Sequence, residues 1–233
     1  MIARVWHVGI AVLVLIALVI QVILAARASA TPPGHAVGTL SGTGLGGRLL
    51  RTISFFTIQS NILSGIASAQ LARDPYRDGP RWRVVRLAGL FGITITGIVY
   101  STVLARVHEP TGWDQVSTNT VFHYVVPIAM VLGWLLFGPR PRVDARVVLF
   151  SLAWPVLYFG YVLVLGESTG WYPYPFVDVA THGYGRVLVN AVLVTAVFAV
   201  AAALYLLGDR KLNRRVYGEE RALTTPDGLG RPS

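Results

Sequence analysis

The order of apolar and polar positions divides the chain into six apolar stretches, each about long enough to cross a bilayer. A transmembrane helix needs about 20 residues at a rise of about 1.5 Å each. The predicted spans are residues 5–26, 51–72, 86–105, 121–137, 145–166 and 183–207. The fourth is the shortest, and its flanking sequence allows a start nearer Thr118. The pattern predicts an all-α, polytopic membrane bundle of six transmembrane helices in residues 1–208.

The first stretch also has features of a secretory signal peptide. Arg4 precedes it, and the small residues 28–30 follow it in the pattern of a cleavage site. Its apolar run of about 20 residues is longer than the roughly 7–15 residues of a signal peptide. We therefore expect a retained anchor helix. Cleavage is the alternative, and it would leave the two termini on opposite sides of the membrane.

The basic residues orient the predicted bundle. If the N-terminus is cytoplasmic, fifteen of the 20 lysines and arginines lie on the cytoplasmic side. The positive-inside rule then favours both termini in the cytoplasm. The net charge of +9 is interpreted as topology and contact with anionic lipid head groups. Nucleic acid is not expected as a partner, because no binding motif accompanies the charge. Residues 209–233 are predicted to form a basic, disordered cytoplasmic tail.

Composition excludes several kinds of site. Hydrophobic residues make up 54% of the chain and charged residues 13%, against about 25% charged in a soluble domain. The chain has no cysteine, which excludes disulfides, thiolate metal sites and cysteine nucleophiles. The single lysine, Lys211, lies in the tail, so no buried Schiff base forms. Acidic residues are nearly missing from the spans, and a carboxylate proton relay, a metal site or a cofactor is not expected.

The second stretch carries a continuous polar face. Its members recur every three or four residues, which places them on one side of a helix: Ser54, Thr57, Asn61, Ser64 and Ser68. Small polar faces turn toward other helices rather than toward lipid. For the serines we expect packing, with hydroxyls bonded to the carbonyl four residues earlier. For Thr57 the same interpretation stands beside a role as a nucleophile.

A histidine at the start of the fourth stretch is unusual for a membrane helix. His123 is either an interfacial residue bonded to a loop or a general base, a role for which a side chain that titrates near neutrality is suited. Pro127 follows four residues later and cannot donate a backbone hydrogen bond to the His123 carbonyl. A kink with a free carbonyl is therefore predicted at this point.

The sixth stretch begins with a second polar face, formed by His182, Arg186 and Asn190. An arginine there needs an acceptor. Asp178 and Glu167 are candidates for an ion pair, and the carboxylate of a ligand is the alternative. On the fifth stretch, the Tyr161 hydroxyl is a candidate for orienting a substrate carbonyl. The predicted topology places these groups, Thr57 and His123 in the outer half of the bilayer.

Around Thr57 and His123 the chain resembles the six-helix membrane family of the androgen-induced gene 1 protein and the androgen-dependent TFPI-regulating protein, and in particular its bacterial branch. The motifs that carry the resemblance are FFTIQSN (residues 55–61), FHYVVP (residues 122–127) and WYPYPFVDV (residues 171–179). The resemblance extends over about the first 210 residues. Animal members of the family are threonine hydrolases that cleave fatty acid esters of hydroxy fatty acids, with a histidine as base.

The resemblance implies a membrane-embedded threonine hydrolase of lipid esters, with Thr57 as nucleophile and His123 as base. From position alone, Asn61 is assigned to the oxyanion and Arg186 to a substrate carboxylate, with Tyr161 and Asn190 as further orienting groups. The expected partners are membrane lipids and a lipid-like ester, and the expected location is a bacterial plasma membrane. The alternative is a non-catalytic membrane protein, either a transporter or a ligand-binding subunit.

Overall fold

A computed structural model describes residues 1–29, 38–140 and 142–224, with side chains up to residue 213. Within these ranges the chain is helical and contains no strand. The helices are α1 (Ile2–Arg27), α2 (Leu45–Ser54), α3 (Phe56–Arg73), α4 (Pro80–Thr102), α5 (Gly112–Thr120), α6 (Val126–Phe137), α7 (Ala145–Thr169) and α8 (Val179–Thr224). A π-helical turn, Val121–Val125, joins α5 to α6, and short 3₁₀ turns cover Leu104–Arg106 and Pro175–Val177.

Five helical segments in the described part of the chain are long and apolar enough to cross a membrane. They are Ile2–Arg27, Pro80–Arg106, Gly112–Phe137, Ala145–Thr169 and Val179–Asn213. Large apolar side chains on their outer faces are exposed, among them Leu157 at 72% and Val192 at 68%, as expected of helices that lie against lipid. The all-helical fold is therefore confirmed for the described residues, and five of its helical segments are candidate membrane spans. The second predicted span is not among the five, because it is divided at Phe55 and α3 carries the polar face.

Several helices extend beyond the predicted spans. α5 begins at Gly112, well before position 121, because a polar segment continues the fourth span in helical form. α8 continues to Thr224, so residues 209–224 are helical rather than disordered. Good helix formers such as Leu, Arg, Glu and Ala dominate this extension. Residues 225–233 of the predicted tail, and residue 30 of the small-residue motif, lie outside the described residues.

Helix α4 is the centre of the bundle, and it packs against α3, α6, α7 and α8. Its glycines permit this close approach. A Cβ at Gly92 would lie 2.5 Å from the Trp154 ring and 2.7 Å from Ser60 Oγ. A Cβ at Gly97 would lie 3.0 Å from Cβ of Pro127. The backbone of α4 is thus in direct contact with the side chains of the helices around it.

Side-chain hydrogen bonds fix neighbouring helices in register. Trp6 Nε1 in α1 donates to the Ala129 carbonyl in α6 at 3.1 Å. Trp154 Nε1 in α7 donates to Gln59 Oε1 in α3 at 3.1 Å. Such bonds matter in apolar surroundings, because a polar group left without a partner costs free energy there.

The end of the bundle away from Thr57 is held by buried charges. The Asp209 carboxylate in α8 accepts from the backbone N–H groups of Arg142 and Val143 at 2.8 and 3.0 Å. The buried Arg86 guanidinium donates to the carbonyls of Gly138 and Pro139. Both charges therefore bind the loop between α6 and α7 and fix its path.

Alanine at Gly92 tests whether the close approach of α4 stabilises the fold. The new methyl group has no room, so Gly92→Ala is expected to destabilise the bundle by about 1–3 kcal/mol, a typical cost of overpacking. Gly160→Ala in α7 is the matched control, because a Cβ there meets nothing within 4 Å. The measurement is the midpoint of thermal unfolding in detergent. Equal midpoints for the two variants would contradict the close packing of α4.

Candidate active site

A break in the second predicted span creates a helix N-terminus beside Thr57. Phe55 is extended, with φ −71° and ψ 128°, between the end of α2 and the start of α3. The first N–H groups of a helix have no carbonyl partner within that helix. Here Phe56 N–H donates to the Tyr158 hydroxyl and Thr57 N–H donates to the Tyr174 hydroxyl, each at 3.2 Å. Two tyrosines from α7 and the following loop therefore cap α3.

The Thr57 hydroxyl lies next to a histidine. Its Oγ1 is 3.3 Å from His123 Nε2 and 3.5 Å from the Tyr174 hydroxyl. On the same face, the hydroxyls of Ser54 and Ser60 bond the carbonyl four residues earlier, at 2.6 and 2.7 Å. The packing role predicted for Ser54 is thus seen, whereas Thr57 contacts groups from two other parts of the chain. The structure brings the two central site residues within hydrogen-bond distance.

The other nitrogen of His123 defines the tautomer of the ring. Nδ1 is 3.1 Å from the backbone carbonyl of Asn119. Since a carbonyl only accepts, Nδ1 carries the proton, and in the neutral imidazole Nε2 accepts from the Thr57 hydroxyl. The ring stacks on Tyr100, with centroids 3.8 Å apart and planes 20° apart. Stacking on Tyr100 and the bond from Nδ1 to Asn119 therefore hold the imidazole in one orientation. In this orientation the lone pair of Nε2 is directed at Thr57.

The backbone around His123 is irregular, as Pro127 predicts. The histidine lies in the π-helical turn, which closes with a hydrogen bond from Val126 N–H to the Val121 carbonyl. Turns of this kind are frequent at functional sites. Gly97 of α4 faces the turn, and a Cβ there would lie 3.4 Å from the His123 carbonyl oxygen. The missing N–H of Pro127 and the missing side chain of Gly97 together allow the turn to approach α4.

Asn61, one turn after Thr57, is bonded to backbone carbonyls. Its side chain is fully buried. Nδ2 donates to the Thr57 carbonyl at 2.9 Å and to the Phe122 carbonyl at 3.4 Å, and Oδ1 has no partner. Because its amide donates to a carbonyl on each element, Asn61 links α3 to the π-helical turn. Its contacts favour this positioning role over stabilisation of an oxyanion.

Three other predicted site residues lie farther from the Thr57 hydroxyl. Tyr161 bonds Ser54 Oγ at 2.6 Å and supports the end of α2. Asn190 donates to the Phe176 carbonyl at 2.9 Å and anchors the loop before α8. Arg186 is exposed on α8. Among the described residues, none of these three side chains contacts Thr57 or His123.

The ion pair predicted for Arg186 is absent among the described residues, where the ion pairs join Arg83 and Arg142 to Asp78. Asp178 instead caps the start of α8, accepting from Thr181 Oγ1 at 2.6 Å. Glu167 accepts from the Tyr184 hydroxyl at 3.3 Å. Both predicted acceptors thus bond hydroxyl groups of α8 instead of Arg186, and the guanidinium remains at the surface.

Tyr174 is the site residue that the sequence did not reveal. Aromatic residues of membrane proteins collect at the level of the lipid head groups, but Tyr174 in the aromatic loop 171–176 is buried against Phe176, with ring centroids 5.3 Å apart. Burial raises the pKa of Tyr174, and its hydrogen bonds with Thr57 only partly offset this. The phenol therefore keeps its proton. The available signal was the tyrosine between Pro173 and Pro175, since two flanking prolines hold a short loop in one conformation.

An apolar cavity of about 340 Å³ lies beside Thr57. Its wall is formed by α3, α4, α7, α8 and the loop before α8. Thr57 and Tyr174 line it, but His123 does not. The nucleophile candidate thus lines the cavity and also contacts the candidate base.

No family model, curated protein or solved structure matches this chain. The family resemblance drawn from the local motifs stays a prediction, and the function rests on the geometry of the site.

The tautomer of His123 is a direct test of the site geometry. The ¹⁵N shifts of the ring, measured by NMR on the protein in lipid, are expected to show a protonated Nδ1 and an unprotonated Nε2. The reason is that the Asn119 carbonyl accepts only. In Thr57→Val the tautomer should persist, because the bond to Asn119 does not involve Thr57. A neutral ring protonated at Nε2 would exclude Thr57 as its donor.

Proposed function

We propose that the protein is a membrane-embedded threonine hydrolase that cleaves lipid esters. The observation that carries the proposal is the 3.3 Å contact between Thr57 Oγ1 and His123 Nε2, with Nδ1 bonded to the Asn119 carbonyl. A nucleophile, a base within reach of its proton and a group that orients the base form the general arrangement of covalent acyl transfer.

Acylation follows from this arrangement. Thr57 Oγ1 attacks the ester carbonyl carbon while His123 Nε2 takes the hydroxyl proton. The carbonyl π bond opens to an oxyanion. When it re-forms, the bond to the alcohol oxygen breaks, and that oxygen leaves with the proton from Nε2. The products of this half-reaction are the free alcohol and an acyl-Thr57 ester.

Deacylation reverses the roles. A water molecule gives a proton to His123 Nε2 and attacks the acyl carbon. The Thr57 oxygen then leaves and takes that proton back, which releases a carboxylic acid and restores the hydroxyl. One ester and one water thus become one acid and one alcohol, and no cofactor takes part.

We assign the oxyanion to the N-terminus of α3 and to Tyr174, rather than to Asn61. The Tyr174 hydroxyl accepts from Thr57 N–H and lies 3.5 Å from Thr57 Oγ1, so its own proton can be donated to the carbonyl oxygen of an ester that Oγ1 attacks. The partial positive charge of a helix N-terminus adds to this donor. In many enzymes, donors directed at the charge that develops in the transition state, within an apolar, water-poor site, make the largest single contribution to the rate enhancement.

The proposal includes the membrane topology. We take α2 and α3 together as a sixth crossing, with both termini in the cytoplasm of a bacterial cell and the dyad in the outer half of its plasma membrane. The polar face of α3 faces protein, and Asn61, Ser60 and Ser64 are each fully buried. A helix with such a face crosses a bilayer when other helices cover it. The bias of basic residues supports the orientation.

A ligand-binding protein without turnover is the second candidate, favoured by the apolar cavity beside Thr57. In that case Thr57, Tyr174 and His123 would only hold the polar group of a lipid. The two candidates differ in whether Thr57 becomes covalently modified.

Labelling with a fluorophosphonate in membranes separates the two. Wild type and Thr57→Ser are expected to react, and Thr57→Ala is not. His123→Ala should react roughly 10² to 10⁴ times more slowly, the usual contribution of a general base. Thr102→Ala and His182→Ala are matched controls, since Thr102 bonds only the Ile98 carbonyl and neither residue is at the site. An unlabelled wild type, or equal labelling of Thr57→Ala, would contradict the hydrolase.

Tyr174→Phe tests the assignment of the oxyanion. Loss of one donor to an oxyanion lowers kcat by roughly 10² to 10³, and a similar decrease in ester hydrolysis is expected with KM little changed. Tyr161→Phe is the matched control, because that hydroxyl contacts Ser54 instead. If the two variants lose activity equally, Tyr174 has no special role in the transition state.

A further inference from the structure

The cavity beside Thr57 has the size and lining of a site for a hydrocarbon chain. Its volume of about 340 Å³ lies at the lower end of the range of about 300–1,000 Å³ typical of ligand pockets. Aliphatic and aromatic side chains from four helices make up most of the wall. Its polar groups are few, and two of them, Thr57 and Tyr174, lie at the proposed site of chemistry.

The position of His123 decides which half of an ester occupies this cavity. In the proposed reaction the alcohol oxygen receives its proton from His123 Nε2, so the alcohol must lie on the histidine side of Thr57. His123 does not line the cavity, whereas Thr57 and Phe56 do. The acyl chain therefore extends from Thr57 into the cavity, and the alcohol lies outside it.

The cavity also has a route from the surrounding lipid. Among its lining residues, Val156 of α7 is 69% exposed, and Thr195 of α8 is exposed as well. Their side chains belong to the outer faces of two helices that present apolar groups to lipid. An acyl chain can thus enter from the side, between α7 and α8, without crossing an aqueous phase.

The cavity ends within the bundle. Along α8 it extends from Asn190 to Ala199, a length of about 13 Å at the helical rise per residue. Leu152 and Phe198 lie at the end farther from the loop before α8, and Phe198 packs on Phe56 with ring centroids 6.1 Å apart. An acyl chain longer than this meets the packed rings of Phe198 and Phe56.

We propose that this cavity is an acyl-chain subsite, entered from the membrane between α7 and α8, whose far end limits the length of the acyl group but not that of the alcohol. The inference rests on the proposed hydrolase, because the hydrolase fixes which half of the ester faces His123.

The test of length compares two tryptophan variants on one helix. Ala199→Trp fills the far end of the cavity, and Ala203→Trp places the same ring one turn beyond it, on another exposed position. The substrates are nitrophenyl butyrate, octanoate and palmitate in lipid vesicles. Ala199→Trp is expected to lower kcat/KM for palmitate relative to butyrate by about tenfold or more, the scale on which apolar pockets discriminate size. In Ala203→Trp, the ratio of kcat/KM for palmitate to kcat/KM for butyrate should equal that of the wild type.

A second series holds the acyl group at octanoate and lengthens the alcohol. Ala199→Trp should leave the dependence on alcohol length as in the wild type. If Ala199→Trp keeps the wild-type acyl preference, if both variants shift it equally, or if the alcohol preference shifts instead, the acyl subsite is wrong.

A binding measurement separates failure of the subsite from failure of the hydrolase. Decanoate that carries a terminal diazirine is irradiated with Thr57→Ala protein in membranes, and the cross-linked residues are identified by mass spectrometry. Cross-links to residues that line the far end of the cavity, lost in the double variant with Ala199→Trp, support the subsite even if no ester is hydrolysed. Hydrolysis by the wild type without cross-links in the cavity overturns the subsite and leaves the hydrolase standing.

Discussion

The two hydrogen bonds that cap α3 support everything else at this site. A helix interrupted in apolar surroundings leaves N–H groups without partners, and each such group costs free energy unless another group accepts from it. Tyr158 and Tyr174 provide the acceptors for Phe56 and Thr57. The break at Phe55 persists because of them, and it places Thr57 at a helix N-terminus with its hydroxyl directed out of the helix.

The same requirement explains the other side of the site. Pro127 removes a backbone donor, and the π-helical turn that accommodates this carries His123 toward Thr57. Asn61 then bonds carbonyls on both elements, at Thr57 and Phe122, and so fixes the break and the turn relative to each other. Two local irregularities, each satisfied by polar side chains, thus produce the juxtaposition on which the proposed chemistry depends.

Periodicity and hydropathy were enough to predict the all-α membrane bundle and to mark Thr57 and His123 as candidates, whereas their pairing as nucleophile and base was implied only by the family resemblance. Both are polar residues on helix faces that other helices must cover in a membrane, and the sequence of each helix alone shows such a face. The break at Phe55 was not predictable in this way, because no glycine or proline marks it and its tyrosine caps lie more than a hundred residues away.

Side-chain roles that depend on a partner were also hard to predict. Asn61 lies one turn from Thr57 and was assigned to the oxyanion. Its amide instead donates to backbone carbonyls of α3 and of the π-helical turn. Tyr174 lies in an aromatic-rich loop, and the sequence of such a loop is more typical of the membrane surface than of a buried site. Only the path of the loop over α3 brings its hydroxyl to Thr57. The sequence specifies the candidate nucleophile and base, but tertiary contacts decide which groups assist them.

The most direct test of the account is the identity of the residue that carries the acyl group during turnover. Wild-type protein in lipid vesicles is mixed with nitrophenyl octanoate, quenched in acid within the burst phase and digested, and the acylated peptide is sequenced by tandem mass spectrometry. The account predicts an octanoyl group on the Thr57 side chain, absent from Thr57→Ala. Turnover with the octanoyl group on another residue, or without any acylated residue, would contradict it.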